Sequence, residues 1–338
     1  MQRSKHAKAA DLGLGVILAA LLCAVFILSL IVGRYEIHAT DALRFLLRAL
    51  QRTPEESMEY SIVMNIRMPR TIMALLVGGG LSVAGCAYQG MFQNPLVSPD
   101  VLGTSAGAAF GAVLGIMLSG MDYRAMALSI AFGLISVFLA FALSRLKGGN
   151  TVLSLVLAGM IIQSLMNALI SLAKYVADPT EKLPTITYWL MGSFTSANYP
   201  KLKLVVFPIC IGVIVIISLR WRINILSLGD EECVSLGVNP VRTRALIILC
   251  STLITASCVM ATGIIGWVGL VIPHICRMIV GVDHKRLLPT SFFVGSIFMM
   301  LVDILARSLT GAELPISILT ALIGAPFFAV LFRRGGGK

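Results

Sequence analysis

The side chains able to do chemistry are few and widely spaced in this 338-residue chain. Its four histidines, His6, His38, His274 and His284, never reach the paired spacing of a metal site. Its seven cysteines are scattered, mostly in apolar runs, with no Cys-x-x-Cys, and read as small packing residues. No nucleophile, base and acid set is visible. No G-x-x-x-x-G-K-[ST] occurs, so no P-loop is present to bind nucleotide. What remains is charge. Asp303 and Arg307 stand four apart, share a helix face and can pair. Pairing matters because a lone charge at a bilayer centre costs roughly 2.5–3.5 kcal/mol. Arg67, Arg70 and Arg307 hug the ends of apolar stretches.

The longest charged interruption in the second half runs over 220–244. Inside it lies one short helical pattern. Gly229 and Asp230 can start a helix, and Asp230, Glu231 and Glu232 place negative charge at its positive end. Gly237 supplies a left-handed stop, and Pro240 follows just beyond.

These groups need a scaffold, and composition names its solvent. The chain is 57% hydrophobic and 13% charged, against roughly 25% charged for a soluble domain. It is read as an all-α integral membrane protein. A net charge of +11 then reflects loops that meet lipid headgroups and set orientation. With no zinc spacing and no basic-aromatic array, nucleic acid is excluded as a partner.

A spanning helix needs about 20 apolar residues. About ten such stretches occur, at 12–32, 68–88, 101–118, 125–144, 152–174, 202–219, 245–262, 267–280, 288–306 and 314–332. The first is read as a retained helix, since no convincing cleavage site follows it. Ala42, Leu43, Leu46, Leu47 and Leu50 mark a surface amphipathic helix, and a second amphipathic piece is expected over 188–194. Gly103, Gly107, Gly111 and Gly115 form a small-residue face for close helix packing. The stretch at 267–280 is short and holds Pro273, so it is expected broken or sunk within the bundle. His274 beside it reads chiefly as structural. An even number of spans puts both basic termini on the cytoplasmic side, together with 220–244. Arg67, Arg70 and Arg307 then fall outside, which topology alone does not explain.

Several motifs in order resemble one family. They are Arg67-Met68-Pro69-Arg70, the glycine-rich 78–90, Gln93-Asn94-Pro95-Leu96 and Leu102-Gly103. Leu228-Gly229-Asp230 with Leu236-Gly237 follows, then the run from Gly266 through Trp267 and Pro273 to His274 and Arg277. Asp303, Ala306-Arg307, Glu313-Leu314-Pro315 and the stretch 320–326 close the set. The chain resembles the FecCD-like permease subunits of type II ABC importers for ferric siderophores, haem and cobalamin, over nearly its whole length.

The resemblance implies a single transmembrane permease domain over 1–338 that does no covalent chemistry. It implies a second permease subunit, a homodimer being the simplest case, and two ATP-binding subunits carrying ATP and Mg. A periplasmic or lipid-anchored substrate-binding protein completes the assembly, in a bacterial cytoplasmic membrane. Gly229, Asp230, Glu231, Glu232, Leu236 and Gly237 would form the element coupled to the ATPase. Arg67, Arg70 and Arg307 would dock the binding protein. Asn94, Pro95 and Leu96, with the loop 148–152, would belong to a cytoplasmic gate. Ferric siderophore is the leading cargo, with haem and cobalamin behind it. The competing reading is a secondary transporter driven by an ion gradient, which calls for a string of buried carboxylates absent from this sequence.

Overall fold

The computed structural model describes residues 2–53, 55–145 and 152–335, and they are helical throughout apart from short connections. In order the helices are α1 (Gln2–Ile31), α2 (Ala39–Leu50), α3 (Met58–Ser61), a π-helical turn (Ile62–Arg67), α4 (Met68–Met91), α5 (Thr104–Ser119), α6 (Tyr123–Arg145) and α7 (Val152–Val176). Then come α8 (Lys182–Leu190), α9 (Tyr199–Ser218), α10 (Arg220–Leu226), α11 (Asp230–Ser235), α12 (Pro240–Thr262), α13 (Val268–Val280), α14 (His284–Ser308) and α15 (Ile316–Gly335). Seven helical stretches are long and apolar enough to cross a membrane, and α5, α13 and α15 supply three shorter apolar helices. The ten expected stretches are therefore all helical, with ends shifted by a few residues.

The bundle is built around α4, whose apolar window is 89% buried, whereas those of α6 and α7 are 28% buried. Glycine explains how α4 can be so enclosed. A Cβ on Gly78 would strike the backbone of Gly295 in α14, and one on Gly85 would strike Gly269 in α13. Backbones thus touch directly, which is how helices gain packing energy where lipid offers no hydrophobic drive. The expected small-residue face of α5 works the same way. Gly107, Gly111 and Gly115 lie against Ser136, Leu128 and Ala125 of α6.

Three expectations are corrected. The piece placed at 188–194 is instead α8, ending at Leu190, because Gly192 takes φ +71° and turns the chain. Pro240 does not merely follow the short helix. It sits at the first position of α12 under the Asn239 cap, where its missing N–H leaves nothing unpaired, so that span starts earlier than 245. The charged interruption also holds a second helix, α10, anchored by buried Ile223, Ile225 and Leu226. α13 has 13 residues, about 20 Å of rise, and is short as expected. Of the loop expected at 148–152, residues 148–151 lie outside the described residues.

Candidate functional site

Three arginines meet where α1 and α14 end and α4 begins. Arg67, delivered by the π-helical turn, donates from Nη1 to the carbonyls of Leu30 at 2.8 Å and Ile31 at 2.5 Å, and from Nη2 to Tyr35 at 2.6 Å. It satisfies carbonyls that the end of α1 leaves open. Arg70 forks onto Asp303, at 2.9 Å from Nε and 2.8 Å from Nη2, and its Nη1 donates to Glu313 at 3.0 Å. Arg307 donates to the Ser29 carbonyl at 2.5 Å and to its hydroxyl at 2.9 Å.

This geometry corrects the picture of outward arginine forks. Arg67, Arg70 and Arg307 are only 4%, 6% and 5% exposed, and their guanidinium groups are engaged within the chain. The reason is electrostatic. So close to the apolar interior, a charge is held where carbonyls or carboxylates can balance it. The Asp303–Arg307 pair is present, but at 3.7 Å it is secondary to the Arg70 fork. Glu313, in the connection after α14, remains partly open and also accepts from the Thr195 hydroxyl at 2.8 Å. Burial works to raise its pKa, but the hydrogen bonds and charge of Arg70, with the Thr195 hydrogen bond and the charge of Arg34, together outweigh it and lower the value.

At the other end, α11 forms as its residues dictate. Asp230, Glu231 and Glu232 occupy its first turn. Gly237, at φ +74°, closes it with a double hydrogen bond: Gly237 N–H to Val234 at 3.0 Å and Val238 N–H to Cys233 at 2.8 Å. Buried Cys233 pins the inner side. Arg244 of α12 grips the Asp230 carboxylate through both nitrogens, at 2.5 and 2.8 Å, and this hydrogen bonding lowers the Asp230 pKa. Glu231, Glu232, Val234 and Leu236 are left exposed, so α11 offers a mixed acidic and apolar surface that no described residue covers.

The turn after α4 is equally defined. Gln93 takes φ +52°, a strained value for a side-chain-bearing residue. Asn94 accepts the Leu96 N–H at 2.9 Å, holding Pro95 in a tight turn with Leu96 exposed. The Gln93 amide then donates to the Leu226 carbonyl at the end of α10, at 3.0 Å. The expected gate residues Asn94, Pro95 and Leu96 are therefore joined to the helix pair α10–α11.

Sequence reading names Gln93 only within the Gln93-Asn94-Pro95-Leu96 run, and does not find its role or its partner Leu226. A left-handed φ on glutamine carries no local signature, and a backbone acceptor has no residue type to notice. Arg70 with Glu313 was likewise hidden, because 243 positions separate them. His274 stacks near Phe327 and Phe328, with ring centroids at 6.4 and 5.9 Å. Among the described residues no metal-binding cluster of His, Cys, Asp or Glu gathers.

Comparison with known proteins places this geometry in context. The model of the FecCD transport family matches residues 21–334. The chain is 42% identical to the molybdate import system permease protein MolB of Haemophilus influenzae, over 94% of this chain and 96% of that one. It is 40% identical to a probable iron chelatin transport system permease protein of Helicobacter pylori, over 81% and 83%. Among solved structures, an inward-facing conformation assigned to a metal-chelate type ABC transporter superposes with a TM-score of 0.86. It has 41% identity and covers 95% of this chain and 99% of that one.

Proposed function

The chain belongs to the FecCD transport family, and from that membership we propose that it is the transmembrane permease subunit of an ATP-driven importer whose cargo is a metal chelate, a ferric siderophore first. It is a multi-pass membrane permease. The observation that carries the mechanism is the Gln93–Leu226 hydrogen bond. A separate ATPase pair seats on the exposed face of α11. Nucleotide-driven movement of α11 is relayed through α10 to the turn bearing Asn94, Pro95 and Leu96, and so to access on the cytoplasmic side. The permease moves and does no covalent chemistry. A second copy of the chain completes the path, both termini face the cytoplasm, and a binding protein delivers cargo to the opposite face. There a docking carboxylate reaches Arg70 by replacing Glu313, whose side chain is 28% exposed, rather than Asp303, at 0%.

The 42% identical molybdate permease supports a second cargo reading, a metal oxyanion. The test is uptake into proteoliposomes holding the permease, its ATPase and its binding protein. Radiolabelled ferric siderophore and molybdate are supplied separately. Accumulation of the ferric chelate supports the first reading, and accumulation of molybdate alone replaces it with the second. Uptake that persists when the ATPase cannot hydrolyse ATP overturns the ATP-driven mechanism and favours an ion gradient.

A further inference from the structure

Behind the turn after α4 lies a cavity of about 520 Å³, and the function above leaves its Arg277 without a role. Its walls come from the end of α4, the α10–α11 connection, α13 and the start of α14. Arg277 of α13 lines it. One of its nitrogens, Nη2, donates to Gln89 at 2.9 Å, while Nη1 has no partner. Among the described residues no carboxylate pairs with Arg277.

The other charged and titratable groups in the cavity are accounted for. Asp283 accepts from Asn224 Nδ2 at 2.6 Å and from the Lys285 N–H at 2.9 Å. Because Asn224 spends its NH₂ on Asp283, its oxygen faces His284, accepting the backbone N–H and meeting Nδ1, both at 2.8 Å. That contact makes Nδ1 the protonated nitrogen, so a neutral His284 has only a lone pair at Nε2 and supplies no cation. With His284 neutral, Arg277 is the one cation among the cavity's described lining residues, and its Nη1 is left open while Asp283 is held by hydrogen bonds. The rim is apolar and open: Leu228 is 62% exposed and Val282 is 72% exposed.

A guanidinium left without its anion beside a membrane interior is destabilising unless an anion arrives. The surroundings favour a side chain over a free ion, since an apolar rim has contact area to offer a polypeptide and none to a hydrated ion. We propose that this cavity is a second docking site for the ATPase subunit, which inserts an acidic side chain, flanked by apolar residues, onto Arg277. The inference rests on the reading of the chain as an ATPase-driven permease. It adds a contact beside α11 that touches the gate turn directly, because Asn94 and Pro95 share the cavity wall.

The test measures affinity between the detergent-solubilised permease and its ATPase. R277E should weaken it about tenfold or more, in line with breaking a charge pair buried at an interface. Arg277 also holds Gln89, so a rim pair guards against a folding artefact. V282D should weaken binding several-fold by repelling the incoming acid, and V282K should match or exceed wild type. Wild-type affinity in both R277E and V282D overturns the site, as does equal weakening by V282D and V282K, while the permease reading stands. If the wild-type chain does not bind the ATPase at all, the permease reading itself fails and takes this inference with it.

Discussion

Gln93 and Leu226 lie 133 positions apart, yet a single hydrogen bond of 3.0 Å joins the turn after α4 to the end of α10. The Ser227 hydroxyl adds a longer contact of 3.4 Å to the Gly90 carbonyl. The turn expected to gate is tied to α10, and α10 alone stands between it and α11, the element expected to receive force. Gln93 pays for this position with a left-handed backbone.

Those two features can be separated by mutation. Q93G removes the side chain and fits the backbone, whereas Q93A removes the side chain and keeps the strain, about 1 kcal/mol. Q93G should unfold at or above the wild-type temperature and Q93A below it. Both should retain ATP hydrolysis and lose cargo uptake per ATP several-fold, measured in proteoliposomes. Normal coupling in both would show that the link carries nothing.

Gly237 invites a cleaner backbone test. A Cβ there meets nothing within 4 Å, so the first cost of a substitution is the backbone value φ +74°. G237V should cost about 1–2 kcal/mol in the end of α11. G237N should be tolerated, because asparagine accepts that conformation. Uptake should uncouple from hydrolysis in the valine variant only, and equal coupling in the two would count against a rigid α11.

The Arg70–Asp303 pair predicts an asymmetry. D303N leaves the Arg70 charge short of its principal partner and should destabilise the protein by about 3–5 kcal/mol. Replacing both by apolar residues of similar size should cost less, because Arg70 is then not stranded, while Arg307 loses its 3.7 Å pair with Asp303 equally in the single and double variants. Glu313 would have to lose its ion pair in the double variant, so the comparison belongs in an E313Q background. Thermal unfolding in detergent reads the difference, and equal losses in single and double variants would refute the stranded-charge account.

Asp230 supplies a pH dependence. Its carboxyl pKa is lowered in the folded chain by the Arg244 hydrogen bonds. A lowered value means the stabilisation is fully present above the ordinary aspartate value of about 3.9 and disappears as pH falls through the folded one. The gap in unfolding temperature between wild type and D230N should therefore hold constant from pH 8 to pH 5 and close below pH 4. It should be small, since the Asp230 side chain is 55% exposed. A gap unchanged at pH 3 would show that the pair contributes nothing through charge.

How much of this was legible depends on how local the signal is. The ten apolar stretches and the α11 caps are local. Apolar length, Gly237 and the acidic first turn announce themselves within a few residues, and the structure contains them all. The α5 glycines were legible because their spacing is helical. The arginine cluster misled because residue type shows only that Arg67, Arg70 and Arg307 carry charge at helix ends. Whether they face out depends on Leu30, Ser29, Asp303 and Glu313, each distant in sequence from the arginine it holds in these hydrogen bonds. α10 was missed because a short helix in a basic stretch has too few turns to show a period.

That correction reshapes the docking prediction. Had the arginines been free, charge reversal at Arg67 and Arg70 would have tested docking directly. With Arg67 holding the end of α1 and Arg70 holding Asp303, reversal disturbs the fold as well. Glu313 is the better probe. It is the outer partner of Arg70, it accepts from Thr195, and its lowered pKa keeps it ionised at neutral pH. E313Q should loosen its hold on Arg70 while leaving the Asp303 fork in place. If a binding-protein carboxylate docks by displacing Glu313, E313Q should tighten docking several-fold, because the competing charge is gone. R70Q in the same background should abolish that gain. Unchanged or weaker docking in E313Q would place the docking contacts elsewhere on the outer face and leave Arg70 a purely internal brace.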